Sequence, residues 1–265
     1  MSEAGIHCPH SPPRRNQFIR RIALIALVAL VAVAVTAPSA HAINSILKFD
    51  VSFTPSKVGT KAKPQAITLF TRPYYDTLAP DAEAPFAWKQ ARIFFPKEGV
   101  FNGKYFPSCP AAKLKTPAGR TACKKAEVGK VDAKGFALGL VEPLQVKLFN
   151  LPAGKGIALW LAGDTPLIVD NVIEGLLVKI SDPLFGYKLT FDVPPDLIQP
   201  APGAYATALD FKVTVPAKVI KKGKKKYPYI GTTGCPSTGV FTAKFETDNT
   251  DGTTSSVTTT APCKK

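Results

Sequence analysis

Histidine and methionine are scarce in this 265-residue chain, and both lie at one end of it. All three histidines and the only methionine fall within the first 42 residues. Without that segment no imidazole remains, which excludes histidine-activated nucleophiles, histidine general bases and histidine-ligated metal centres. The sequence also has neither a phosphate-binding P-loop nor a dinucleotide-binding glycine motif. We therefore expect no catalytic residues, no metal and no cofactor, and a protein that is not an enzyme.

The first 42 residues have the pattern of a secretory signal peptide. Four arginines between positions 14 and 21 precede the apolar run 22–35, and Ala40-His41-Ala42 supplies a small-residue cleavage motif. The run is shorter than the ~20 residues of a membrane-spanning helix, and no later stretch is long enough either. We predict a cleavable signal peptide over 1–42, a single domain over 43–265, and a secreted or cell-envelope location. The general secretory and twin-arginine routes both stay open.

Four cysteines, Cys109, Cys123, Cys235 and Cys263, lie beyond the predicted signal peptide. Export to an oxidising compartment makes disulfides the expected state, and four cysteines allow three pairings. A turn sequence separates the first two, and a predicted hairpin centred on Asn249 lies midway between the last two. This spacing favours the pairs Cys109–Cys123 and Cys235–Cys263. A metal site of four cysteines would need closely spaced C-x-x-C pairs, which are missing.

Apolar and polar residues alternate along most of the chain. The runs 47–53 and 209–215 each place their apolar residues on one face, as half-buried strands do. Proline, glycine, asparagine and aspartate separate such runs at short intervals, which is typical of sandwiches and barrels. We predict an all-β fold, namely a single-domain antiparallel β-sandwich with two disulfides. Residues 165–180 fit both helical and strand spacing, and their content of Val and Ile favours a strand.

Several turn and disulfide motifs occur in a fixed order along the predicted domain. They are Phe95-Pro96, Gly99-Val100-Phe101-Asn102, Phe106-Pro107-Ser108-Cys109, Val128-Gly129, Gly186-Tyr187-Lys188-Leu189, Val193-Pro194 and Gly234-Cys235-Pro236. Together with Cys123 and Cys263, they resemble a group of uncharacterised secreted proteins from high-GC Gram-positive bacteria. The chain departs from that pattern at Lys124, where proline is usual, and at Lys130-Val131, which interrupts a glycine-rich step. The resemblance implies a shared fold and brings no function.

Positive charge dominates the sequence, with 34 Lys and Arg against 19 Asp and Glu and a net charge of +15. Residues 1–42 hold four Arg and one Glu, so the predicted domain keeps 30 basic and 18 acidic residues, a charge of +12. One predicted loop concentrates this charge. Its candidate anion-binding residues are Lys218, Lys221, Lys222, Lys224, Lys225, Lys226, Tyr227 and Tyr229.

Clustered ammonium groups bind polyanions through a salt-sensitive attraction. We therefore predict a non-enzymatic structural or binding module that contacts an anionic cell-wall polymer or a phospholipid surface, and we do not expect nucleic acid as the partner. The plainer alternative is a solvated loop that opposes strand association.

Two further functions stay open. Many aromatic rings could surround a lipid or other apolar ligand, although core packing explains them equally well. A glycan-binding or glycan-active protein could use a carboxylate pair and stacking rings. The candidate carboxylates are Asp164, Asp170, Glu174 and Asp182, and the candidate rings are Trp88, Trp160, Tyr74 and Tyr75. An enclosed cavity would favour the carrier, and two carboxylates about 5–10 Å apart in a cleft would favour the glycan enzyme.

Overall fold

The structure is a computed structural model that describes residues 46–76 and 86–265. The predicted signal peptide, 1–42, lies outside the described residues. The described strands belong to one compact unit, Ile43–Lys265. They are β1 (Ile46–Thr54), β2 (Gln65–Ala66), β3 (Thr68–Asp76), β4 (Trp88–Pro96), β5 (Gly99–Phe101), β6 (Glu127–Ala137), β7 (Leu140–Asn150), β8 (Gly156–Gly163), β9 (Val169–Lys179), β10 (Phe185–Asp192), β11 (Ala206–Val215), β12 (Val219–Lys222), β13 (Lys225–Pro228), β14 (Ile230–Thr232), β15 (Val240–Asn249) and β16 (Thr254–Pro262).

The described helices are short. They are α1 (Ala111–Leu114), α2 (Pro117–Ala122) and α3 (Pro195–Ile198), with 3-10 turns at Gly103–Tyr105, Lys124–Ala126 and Pro152–Gly154. Thr116 caps α2 by accepting a hydrogen bond from the Gly119 backbone N–H, and Pro117 occupies its first position. Within residues 46–76 and 86–265, no helix has the length and apolar character needed to cross a membrane.

Eleven strands form one antiparallel sheet in the order β1-β3-β11-β6-β7-β8-β9-β10-β4-β15-β16. Its two edge strands, β1 and β16, lie side by side. Beyond them, Val58 N donates to Lys264 O (3.0 Å) and Lys264 N donates to Ser56 O (2.9 Å). The sheet is therefore nearly closed into a barrel. The predicted all-β antiparallel fold is confirmed, and the two facing layers expected of a sandwich are opposite walls of one curled sheet.

Alternation along the strands decides which side chains enter the barrel. In β15 every second residue from Phe241 to Asn249 is buried, because successive side chains of a strand point to opposite faces. The ambiguous segment 165–180 contains strand β9, as its composition favoured. Strand β9 pairs with β8 on one side and β10 on the other. Backbone hydrogen bonds along both edges therefore stabilise a strand here, although the apolar residues of this segment also fit the spacing of a helix.

Both predicted disulfides are present. Cys109–Cys123 has a Cα–Cα distance of 5.7 Å and fastens α1 and α2 over the outer wall, where Phe149 and Trp160 point outward and are buried beneath them. Cys235–Cys263 has a Cα–Cα distance of 5.8 Å. It ties the segment before β15 to the end of β16, next to the hydrogen bonds of Lys264 that join the two edges of the sheet.

The two ends of the barrel are covered by different structures. At one end, where β7 ends and β8 begins, the small sheet β2-β14-β5 and the adjacent Tyr229 cover the barrel, and Phe101, Tyr229 and Ile230 pack against the core. We call this small sheet together with Tyr229 the plug, and this end the plug end. At the opposite end, residues 193–205 run from β10 to β11 and contain α3, which contacts β4 and β11. We call residues 193–205 the crossing segment and this end the crossing end.

Candidate functional site: a cavity inside the barrel

An apolar cavity occupies the barrel between the plug and the crossing segment. The space that the centre of a water molecule can occupy is about 230 Å³. An apolar cavity of ~150 Å³ already stays dry and admits benzene, so this one is large enough for a hydrocarbon ligand. Side chains of nine strands of the large sheet, β3, β4, β6–β11 and β15, contribute to its wall, together with Phe101 of β5 and Ile230 of β14. Representative wall residues are Ile93, Leu144, Leu161, Ile173, Leu189 and Phe211.

Aromatic side chains fill the remainder of the interior. Phe49 packs against Phe245 with ring centroids 5.6 Å apart, and Phe53 against Phe241 at 5.0 Å. These four rings belong to β1 and β15. The cavity is lined mainly by the part of the sheet with the strand order β3-β11-β6-β7-β8-β9-β10-β4. The core is thus packed on one side of the barrel and open on the other.

The polar groups at the plug end are bonded to one another. Asn150 is fully buried; its Nδ2 donates to Gly103 O (2.9 Å) and Pro107 O (3.0 Å). Its Oδ1 accepts from the hydroxyl of Tyr229 at 3.1 Å. Burial raises the pKa of Tyr229, so this hydroxyl stays a neutral donor. Asn150 therefore holds the plug to the barrel wall and leaves no free polar atom for a ligand.

Glu142 is a charged side chain in the cavity wall and is only 4% exposed. Its Oε1 accepts a hydrogen bond from Thr165 N at 3.1 Å. Burial raises the pKa of Glu142, backbone hydrogen bonds from the β8–β9 loop oppose that shift, and the nearby carboxylate of Asp164 adds to it. A Cβ at Gly163 would collide with the Glu142 carboxylate, so a glycine there makes room for it.

Sequence reasoning missed Glu142, although a signal for it exists. In β7 the inward positions are 142, 144, 146, 148 and 150, and the apolar residues that reveal this alternation begin at Leu144. The residue two positions before Leu144 is Glu142, so continuing the same alternation toward the N-terminus places Glu142 inside the fold.

The candidate glycan-stacking rings do not form one platform. Trp88 faces the cavity and its Nε1 donates to the Tyr75 hydroxyl at 2.8 Å. Trp160 lies on the outer wall, buried beneath Arg120, whose guanidinium carbon is 4.3 Å from the ring centroid. Tyr74 stacks with Arg72 at 4.1 Å. The wall of the barrel separates the two tryptophans, so a single sugar cannot stack on both.

Two of the pairs that the four candidate carboxylates could form are far apart. Asp170 and Glu174 lie on β9 four residues apart, a separation of about 13 Å along a strand, wider than the ~5–9.5 Å of glycosidase pairs. Asp170 accepts from Trp160 Nε1 at 2.6 Å, and Asp182 accepts from Leu184 N at 2.8 Å. Asp164 and Asp182 lie at opposite ends of β9.

The basic loop folds into the hairpin β12–β13. Lys221 pairs directly with Lys226, and Lys222 with Lys225, while Gly223 has a positive φ of 60° at the turn that also contains Lys224. All five lysines are exposed, and none forms an ion pair within the part of the chain that the structure describes. The structure thus brings five of the six predicted lysines together on one projecting element, which we call the lysine hairpin.

The other three candidate anion-binding residues, Lys218, Tyr227 and Tyr229, make contacts within the protein instead of projecting into solvent. Lys218 Nζ donates to the backbone carbonyl of Glu127 at 2.8 Å, and its side chain is part-buried. Tyr227 packs on Tyr105 with centroids 4.1 Å apart. Tyr229 is 5% exposed and lies in the plug, so the structure does not place it on the surface with the five lysines.

Comparisons with family models, with curated proteins and with solved structures find no match. The function is therefore argued from geometry, and the two features with a distinct geometry are the cavity and the lysine hairpin. They lie apart in the fold: the cavity is inside the barrel, and the hairpin follows β11 at the plug end.

Proposed function

We propose that this protein binds an apolar ligand inside its barrel and carries it outside the cytoplasm, without catalysis. The cavity is the observation that carries this proposal. An empty apolar cavity is destabilising because the atoms that line it lack packing partners, so a space of about 230 Å³ favours an occupant. A ligand that fills the space offsets that destabilisation.

Export is proposed on independent grounds. Two disulfides indicate folding in an oxidising compartment. Water is a poor solvent for hydrocarbon, and an apolar cavity inside a nearly closed barrel shields such a molecule during transfer. Disulfides and a sheltered apolar interior are thus consistent features of one extracellular carrier.

Exposed apolar side chains at the crossing end support ligand access there. Leu138 and Leu140 at the β6–β7 hairpin are 57% and 55% exposed, Tyr205 is 56% exposed, and Ile168 in the β8–β9 loop is 88% exposed. Ile168 directly follows Leu167 and Tyr205 directly precedes Ala206, and both of those neighbours line the cavity. Hydrocarbon leaving the cavity at this end would therefore meet further apolar surface.

A neutral fluorescent probe, N-phenyl-1-naphthylamine, tests the cavity. We expect saturable binding with a blue-shifted emission, and we expect Leu144→Trp, which places an indole in the cavity, to weaken it about tenfold or more. Leu176→Trp is the matched control, because Leu176 is 48% exposed on β9. Solvent extraction and mass spectrometry of the purified protein should recover a co-purified lipid from the wild type. Absence of saturable binding, or equal binding by both variants, would overturn the proposal.

The lysine hairpin favours a second function, attachment to an anionic polymer or phospholipid surface. Like charges placed directly opposite each other destabilise a strand pair, and Lys221–Lys226 and Lys222–Lys225 are two such pairs in succession. A bound polyanion relieves this repulsion. The hairpin also has an exposed, unpaired edge on each strand, and the same lysines keep other strands from adding to it.

Retention on purified cell wall and on phosphatidylglycerol vesicles, each over a salt series, tests attachment. Replacing the five exposed lysines of the hairpin with Gln should weaken retention about tenfold or more and flatten its salt dependence. The control replaces five exposed lysines elsewhere, which gives the same net charge. These are Lys61, Lys63, Lys113, Lys124 and Lys125. Equal losses in both variants would show that net charge, and not the hairpin, sets retention.

A further inference from the structure

We infer that the cavity accepts long-chain ligands with a neutral or cationic head group, such as a hydroxyl or an amine, and rejects those with a carboxylate or phosphate head. This inference rests on the proposed function and specifies its ligand class. It follows from the distribution of charge around the cavity.

The cavity wall offers an anion no partner. Among the wall residues that the structure describes, Glu142 is the one ionisable carboxylate and no lysine, arginine or histidine is present. Residues 77–85, outside the described part, also contain no basic residue. An anionic head buried here would lose its hydration without gaining a counter-charge, which is among the most expensive changes in a protein interior.

The carboxylate of Glu142 adds repulsion to that cost. It is 4% exposed and lies near the crossing end, where β7 begins. Asp164, exposed in the β8–β9 loop and not part of the cavity wall, stands close enough to raise the pKa of Glu142, so it adds negative charge near this carboxylate. Charges interact strongly in such surroundings because little water screens them. An ammonium head is attracted by the same field, and a hydroxyl can donate to the carboxylate.

The surroundings of Glu142 provide space and a hydrogen-bond donor for its buried carboxylate. Gly163 leaves the room that any larger residue would occupy, and Thr165 N donates to Oε1. Three other polar side chains of the cavity wall are already engaged: Asn150 with Tyr229, Trp88 with Tyr75, and Thr207 with the Phe86 carbonyl. Glu142 is the one charge-bearing side chain of the described wall, so it is the group that can distinguish a charged head from a neutral one.

Displacement of N-phenyl-1-naphthylamine by three ligands of equal chain length tests the inference. They are 1-tetradecanol, tetradecylamine and myristate, used at pH 8 below their aggregation limits. We expect the alcohol and the amine to displace the probe at concentrations at least about tenfold lower than myristate. Equal or tighter binding of myristate would overturn the inference while leaving the carrier function intact. Failure of the probe itself to bind would overturn the carrier function instead.

Two variants assign the discrimination to Glu142. Glu142→Gln keeps the shape and should strengthen myristate binding by about tenfold while leaving the alcohol almost unchanged. Glu174→Gln is the matched control, since Glu174 is exposed on the outer face of β9, and it should change neither. Unchanged discrimination in Glu142→Gln would show that Glu142 is not the selecting group. The wild-type comparison needs no variant and stands even if Glu142→Gln fails to fold.

Discussion

At the scale of single residues, Glu142 is a carboxyl group that the fold holds in apolar surroundings, which raises its pKa. Its carboxylate is withdrawn from water into an apolar wall and receives a hydrogen bond from the β8–β9 loop. The half-buried Asp248 and the exposed Asp182 show the contrary behaviour: the pKa of Asp248 is lowered because Arg92 donates to it, and that of Asp182 because backbone N–H groups do. Glu142 alone among these gains a proton more readily in the folded protein than in the unfolded chain.

A stability measurement across pH follows from that difference. Because the folded-state pKa of Glu142 is raised above its ordinary value, the folded protein holds this proton more tightly than the unfolded chain. The contribution of Glu142 to the free energy of unfolding is thus greatest below its ordinary pKa of about 4.3 and is lost as pH rises through the raised value. Removing the group by Glu142→Gln should abolish that pH dependence.

The comparison uses urea unfolding of the wild type and Glu142→Gln between pH 4 and pH 8. Other carboxylates act in both proteins, so the difference between the two curves isolates Glu142. We expect Glu142→Gln to gain stability relative to the wild type as pH rises, with no further gain once Glu142 is fully ionised. A difference that stays constant with pH, or that moves in the opposite direction, would contradict the assigned pKa shift.

At the scale of elements, sequence pattern predicted strands well and their arrangement less well. The hairpin β15–β16 follows directly from alternation and the turn residues at 248–252, and its register pairs Asp248 with Thr254. Strand β9 could be predicted as a strand, and not as a helix, because β-branched residues favour strands. Alternation and β-branched content are both local properties of the sequence, and they show which face of its own strand each side chain occupies.

The cavity was not predictable in this way. Alternation identifies an inward side chain, but whether it meets another side chain or empty space depends on how far the sheet curls. Leu144 and Phe241 both have inward phase, yet Leu144 lines the cavity and Phe241 is packed against Phe53. The position of Tyr229 was missed for a similar reason, because a tyrosine beside a lysine cluster gives no sign that a neighbouring strand, β14, carries it into the plug.

At the scale of the whole molecule, the two disulfides restrain different parts of one barrel. Cys109–Cys123 fastens helices to the outer wall, and neither cysteine lines the cavity. Cys235–Cys263 lies beside Lys264, whose backbone hydrogen bonds to Ser56 and Val58 join the first and last strands. Only the second disulfide acts on the junction that decides whether the sheet encloses its interior.

Removing each disulfide separately should therefore give different results. Loss of loop-closure restraint costs about 3 kcal/mol for a 14-residue separation and about 3.5 kcal/mol for 28, so both double Cys→Ser variants should unfold at lower urea concentration. Removing Cys235–Cys263 should also weaken N-phenyl-1-naphthylamine binding severalfold, because the sheet edges can part and admit water to the cavity. Removing Cys109–Cys123 should leave probe affinity within about twofold. Equal loss of probe affinity in both variants would mean that general stability, and not closure of the barrel, maintains the cavity.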